Sequence, residues 1–98
     1  MSSELEVVWS PLAEETYLKT LEFILDKWTQ KEAIAFDKKV ETIILKLSQY
    51  KNLCPPSGMQ KNLRRCVITP HTSLVYQIIH SETIELVSFF DNRSQHQY

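Results

Sequence analysis

Apolar side chains along the chain follow two rhythms, and the changeover lies at residues 52–58. Upstream, Leu18, Leu21, Leu25 and Trp28 recur at the three-to-four-residue spacing of one helix face. Ala33, Phe36, Val40, Ile43 and Leu47 do the same a little further on. Each run has a start signal. Ser10 followed by Pro11 reads as an N-cap with proline in the first turn, and Glu14 and Glu15 suit the positive end of the helix dipole. Thr29 with Glu32 three residues on forms a capping box. Two amphipathic helices this close together predict an antiparallel helical hairpin. Before them, "LEVVW" at residues 5–9 is short, apolar and β-branched, and reads as a strand.

The segment "NLCPPSG" holds two prolines and the single glycine, and it ends the second helix in a loop. Strand-like runs follow at residues 63–69, 73–80 and 83–90, joined by short polar turns. They predict an antiparallel meander. The expected fold is α+β, in the order β-α-α-β-β-β, one domain over residues 1–98, with the helical hairpin on one face of an antiparallel sheet. The first strand is expected beside the meander's edge or its centre. Strict alternation places Leu74, Tyr76, Ile78, Ile84, Leu86 and Phe90 on one face, and Tyr76, Trp9 and Trp28 are expected to be packed. The opposite face then carries Val75, Ile79, Val87 and Phe89 among Ser73, Gln77 and Glu85. A sheet covered on one side normally turns a polar face to water. This one is half apolar, which points to a protein partner lying across Val75, Ile79, Val87 and Phe89, with Phe89 as its anchor.

Composition narrows the function class. The chain has 98 residues, enough for one modest core, with 43% hydrophobic and 23% charged residues. One glycine leaves no glycine-rich phosphate loop. No apolar run approaches the roughly 20 residues of a membrane span, and the first residues lack the pattern of a secretory signal, so a cytoplasmic protein is expected. In that compartment Cys54 and Cys66 are expected as two reduced thiols. His71, His80 and His96 show no metal-ligand spacing with them, and no metal or cofactor is expected. The net charge of −1 conceals an asymmetry. Residues 1–37 hold three lysines against eight carboxylates, a net of −5. Residues 38–98 hold eight cations against four carboxylates, a net of +4. That basic half could face an anionic partner but is too dilute to argue for nucleic acid.

The order of elements, together with "LRRCVI", "SLVYQIIHSETIELV" and "FFDNR", resembles the RelE/ParE superfamily of bacterial toxins over nearly the whole chain. The resemblance implies a toxin of a type II toxin–antitoxin, plasmid-stabilising system, held inactive by a cognate antitoxin that wraps around the helix-and-sheet body. RelE-like members cut messenger RNA on the ribosome, by attack of a ribose 2′-OH on the adjacent phosphate. They use two lysines on the strand matching residues 63–69, an arginine before the "LVYQ"-like segment, an arginine after the last strand and a C-terminal tyrosine. In this chain those positions fall near Arg64, near Cys66, on Ser73, on Arg93 and at or just beyond Tyr98. Arg64, Arg93 and Tyr98 are therefore the catalytic candidates, while two of the four cations are absent. Losing such groups removes the stabilisation that a charged phosphorane-like state needs. Arg65, His71 or His96 could substitute. ParE-like members lack most of this set and poison DNA gyrase instead, and the missing cations place this chain on the ParE-like side. The alternatives are a RelE-like ribosome-dependent nuclease with a substituted site, acting on ribosome and mRNA, and a remnant that binds only its antitoxin. The closing Asp91-Asn92-Arg93 has a second, purely structural reading, in which it ends a strand and Arg93 pairs with Asp91 or Glu85.

Overall fold

The computed structural model describes residues 4–58 and 62–93. Its elements are β1 (Glu6–Trp9), α1 (Pro11–Lys27), α2 (Gln30–Leu47), β2 (Leu63–Val67), β3 (Thr72–His80) and β4 (Thr83–Asp91). Both expected caps are in place. Ser10 Oγ accepts from the Ala13 amide at 2.9 Å and Thr29 Oγ1 from the Glu32 amide at 3.3 Å. The four strands form one sheet in the order β1-β4-β3-β2. β2, β3 and β4 are an antiparallel meander. β1 joins the meander's edge, but parallel to β4, so the sheet is mixed rather than wholly antiparallel. Because β2 and β4 run the same way in the meander, the helical hairpin and the loop after it return the chain to the sheet in the direction of β1.

The core lies between the hairpin and one face of the sheet. Leu74, Tyr76, Ile84, Leu86 and Phe89 meet Ala13, Phe36, Val40 and Leu47 there, and all are buried. The expected stripe of α2 faces this core. The expected stripe of α1 does not. Leu18, Leu25 and Trp28 are more than half exposed, and the inward row is Ala13, Tyr17, Leu21 and Ile24. The two rows obey the same helical spacing and lie about one residue apart around the helix. Ala13, without bulk, lets α1 approach the sheet closely. Tyr17 buries its ring and sends its hydroxyl to the Asp37 carboxylate, tying α1 to α2. Burial first, and the Asp37 hydrogen bond second, hold that phenol far above its usual range. Trp9, Tyr17, Phe36 and Phe89 make a ring cluster with centroids 5.3–6.1 Å apart.

Phe89 was expected on the outer face, and it is in the core at 2% exposure. The register explains the correction. Tyr76 pairs with Leu86 but Val75 pairs with Ser88, so Val87 is an extra residue in β4. A bulge of one residue reverses the facing of everything beyond it. Phe89 thus comes opposite Leu74 on the inner face, and Phe90, expected inside, comes opposite Ser73 on the outer one. The bulge sits where β1 runs out, since the last β1–β4 pair is Trp9 with Leu86. Beyond it α1 takes over the strand's exposed backbone. Ser10 Oγ donates to the Val87 carbonyl at 2.8 Å, and the Phe89 amide donates to Thr16 Oγ1 at 2.9 Å. Val75 is also fully buried, at 0% exposure, so it offers no bare patch. Val87 is half-buried, and only Ile79 of the four expected contact residues is exposed.

Cys54 and Cys66 are joined in a disulfide rather than free as expected. Twelve residues apart in sequence, they are brought together because the 52–58 loop folds back along β2. Tyr76, packed as expected, holds the same loop, because its hydroxyl donates to the Lys51 carbonyl at 2.9 Å and accepts from the Cys54 amide at 3.2 Å. No helix among the described residues is long and apolar enough to cross a membrane.

Candidate functional site

The charged triplet that ends β4 has an assigned partner for each side chain. Asp91 Oδ1 accepts from the Arg93 amide at 2.8 Å, and the two side chains add contacts of 3.0 and 3.2 Å. This is a turn closed by its own ion pair. Asn92 fastens the end of β4 to the turn before β3. Its amide donates to the His71 carbonyl at 2.8 Å, and its Nδ2 donates to the carbonyls of Thr69 and Pro70 at 3.2 and 3.1 Å. The Arg93 hydrogen bonds, above all the one from its side chain, hold the Asp91 carboxyl below its ordinary value. The pair's contribution is therefore fully present above the ordinary carboxylate value near 3.8 and is lost as pH falls through the depressed one. Asp91→Asn removes that pH-dependent part. Urea midpoints of the two proteins should differ by a constant amount at neutral pH and converge below about pH 4. Solvent screening keeps the effect small, because both side chains are substantially exposed.

Arg64 and Arg93 do not share a site. Arg64 pairs with Tyr76, on the helix side of the sheet, and its Nη1 donates to the Cys54 carbonyl at 2.6 Å. Arg93 follows β4, with β3 between that strand and β2. The arginine that does reach the C-terminal turn is Arg65. Its Nη2 donates to Asn92 Oδ1 at 3.0 Å, its Nε donates to Ser73 Oγ at 3.2 Å, and its guanidinium lies 5.2 Å from the centre of the Phe90 ring. Ser73 hydrogen-bonds Asn92 in turn. Alternation along "LRRCV" separates the two arginines onto opposite faces, and it could have singled out Arg65 once the bulge had turned Phe90 outward. Cys66 is buried in the disulfide and Ser73 is fully buried, so neither position presents a cation. Tyr98 and His96 lie outside the described residues.

An open concavity of about 800 Å³ lies elsewhere. α1 walls it with Thr16, Lys19, Phe23 and Lys27, α2 with Phe36 and Lys39, and the β4 end with Phe89, Phe90 and Arg93. Trp28 and His71 stand at one end, with ring centres 6.3 Å apart. Phe23 and Trp28 are each about half exposed. Four cations and two carboxylates, Glu32 and Asp91, share the lining, a net of +2. Lys19 and Lys27 make only surface pairs, at 3.2 and 3.9 Å, with Glu15 and Asp26. The groove thus combines exposed aromatic surface with excess positive charge. Thr16, Lys19, Phe23 and Lys27 mark one edge of α1 at helical spacing, a signal that the louder leucine row conceals.

The model of the ParE toxin of type II toxin–antitoxin systems, parDE, matches residues 7–96. The chain belongs to the ParE toxin family. No curated protein matches it. Solved structures share the fold at low identity. The chromosomal ParDE TA system from P. aeruginosa aligns at 11% identity and TM-score 0.76, over 92% of this chain and 98% of that one. A YoeB/ParE toxin from Agrobacterium tumefaciens aligns at 16% identity and TM-score 0.67, over 90% and 99%. The E. coli DinJ–YafQ toxin–antitoxin complex aligns at 12% and 0.60, over 90% and 92%. The two helices on a mostly antiparallel four-stranded sheet are therefore the RelE/ParE toxin fold, and this member of the ParE family is a toxin of type II toxin–antitoxin systems.

Proposed function

We propose that this ParE-family toxin acts in the cytoplasm as one domain, by binding a protein target such as DNA gyrase, and that a cognate antitoxin neutralises it within a plasmid-stabilising module. The observation that carries the reading is the dispersal of the cations. Arg64 is held at the Cys54 carbonyl and Arg93 at Asp91, on either side of β3, and Arg65 is spent on Ser73, Asn92 and Phe90. Attack by a ribose 2′-OH needs several cations converging on one phosphate, together with an acid and a base. A protein-binding mechanism needs none of this. The antitoxin's contact surface is the groove between α1, α2 and the β4 end, because its exposed rings and excess of lysines suit an acidic segment bearing an apolar anchor.

The test is to express the toxin without its antitoxin and follow two readouts, gyrase supercoiling with purified protein and transcript cleavage on ribosomes. Inhibited supercoiling with intact transcripts is expected. Cleavage that disappears in Arg64→Ala or Arg93→Ala would replace this reading with the ribonuclease. Neither effect would leave a protein that only binds its antitoxin.

A further inference from the structure

We propose that the Cys54–Cys66 disulfide is a redox latch that keeps residues 55–57 folded over the free edge of β2. The strand order leaves β2 at the end of the sheet, with one side of its backbone unpaired by any strand. Residues 55–57 occupy that side. The Ser57 amide donates to the Leu63 carbonyl at 2.7 Å, the Arg65 amide donates to the Pro55 carbonyl at 3.1 Å, and Pro56 bridges to Arg64. This cover is a poor strand. Pro55 and Pro56 have no N–H to add to a ladder, so two backbone hydrogen bonds join it to β2. Further anchors of the loop, from Tyr76 and Arg64, lie upstream, at Lys51 and Cys54. The disulfide is the covalent tie between the cover and the strand, leaving from the residue before Pro55 and arriving at the residue after Arg65.

A dithiol reductant opens it by ordinary exchange. One thiolate attacks the sulfur of Cys54, the more accessible of the two at 9% exposure against 2%, and expels the Cys66 thiolate. The second thiol of the reductant then displaces Cys54. The reductant leaves as a cyclic disulfide, its two electrons reduce the bond, and its two protons end on Cys54 and Cys66. The 55–57 segment then separates from β2, uncovering the Arg65 amide and the Leu63 carbonyl, while Tyr76 still holds the loop at Lys51 and Cys54. An uncovered edge strand is a ready surface for pairing with another strand. In a thiol-reducing compartment the open form is the resident one and the latched form reports oxidation. The latch itself does not depend on the target or on the antitoxin.

Amide hydrogen exchange on the full chain tests it, with oxidised protein, with protein in dithiothreitol, and with the Cys54→Ser/Cys66→Ser variant. The Ser57 and Arg65 amides should exchange about tenfold or more faster on reduction, while those of Tyr76 and Leu86 in the central strands stay within about twofold. The variant should match the reduced protein and ignore dithiothreitol. Equal protection of Ser57 and Arg65 in both states would overturn the latch. So would a uniform rise that included Tyr76 and Leu86, which would make the bond a staple of the whole fold. Two alkylatable thiols in air-oxidised protein would overturn it as well.

Discussion

Phe89→Ala should destabilise the fold by about 3–5 kcal/mol, the usual cost of removing a large aromatic from a closed core. Phe89 is 2% exposed and its ring lies 5.4 and 5.7 Å from those of Tyr17 and Trp9. Its surroundings come from three other elements, β1, α1 and β3, through Trp9, Tyr17 and Leu74, and cannot collapse into the space without moving all three. The neighbouring Phe90→Ala should cost much less, about 0.5–1 kcal/mol, because Phe90 is half-buried and gives up its contact with the Arg65 guanidinium. The pair makes a direct test of the bulge at Val87. Urea midpoints should fall steeply for the first variant and slightly for the second. The reverse order would mean that the strand keeps unbroken alternation and that Phe89 faces outward.

Removing the two exposed rings of the groove, in Phe23→Ala/Trp28→Ala, should weaken antitoxin binding by about 2–4 kcal/mol, or roughly 30- to 1,000-fold. Large aromatics beside an apolar floor of Phe36 and Phe89 have the character of binding anchors, and their exposure in the free toxin makes truncation cheap for the fold. Leu18→Ala/Leu25→Ala, on the opposite edge of α1, serves as the control and should leave affinity nearly unchanged. Calorimetry with the protein encoded by the adjacent reading frame provides the measurement. The lysine rim adds a second signature, because affinity should fall as salt rises and Lys27→Ala should flatten that dependence. Equal losses in the two double variants would move the interface off the groove.

Much of the fold was legible in the sequence because its signals are local. The caps at Ser10 and Thr29, the stripe from Ala33 to Leu47 and the proline-rich break each depend on residues within a few positions of one another. The errors have a different origin. The facing of Phe89 depends on one extra residue in β4, and what favours that bulge is contact with Ser10 and Thr16, more than 70 residues away. The choice between two leucine-bearing rows on α1 depends on how closely Ala13 lets the helix approach the strand. The disulfide depends on a loop folding back along β2. The candidate cations fared similarly. The resemblance to RelE-like toxins grouped Arg64 with Arg93, whereas alternation puts Arg65, not Arg64, on the face that reaches Asn92. Tertiary geometry settled the bulge, the α1 row and the disulfide without a local trace, while for the arginines the alternation along β2 is the local trace.

The parallel pairing of β1 with β4 sets a timetable for synthesis. Ser10 and Val87 bond across 77 residues, and every partner of β1 in the sheet belongs to β4, the last of the described strands. At about 5–20 residues per second a ribosome needs roughly 4–15 seconds to cover that distance. During this interval Trp9 and the inward edge of α1 have no sheet to bury against. The nascent chain can form its helical hairpin but not the ring cluster that unites hairpin and sheet. Formation of the ring cluster is thus deferred until β4 has left the exit tunnel. A toxin built this way spends its synthesis as an incomplete body, during which an antitoxin already present has time to find it.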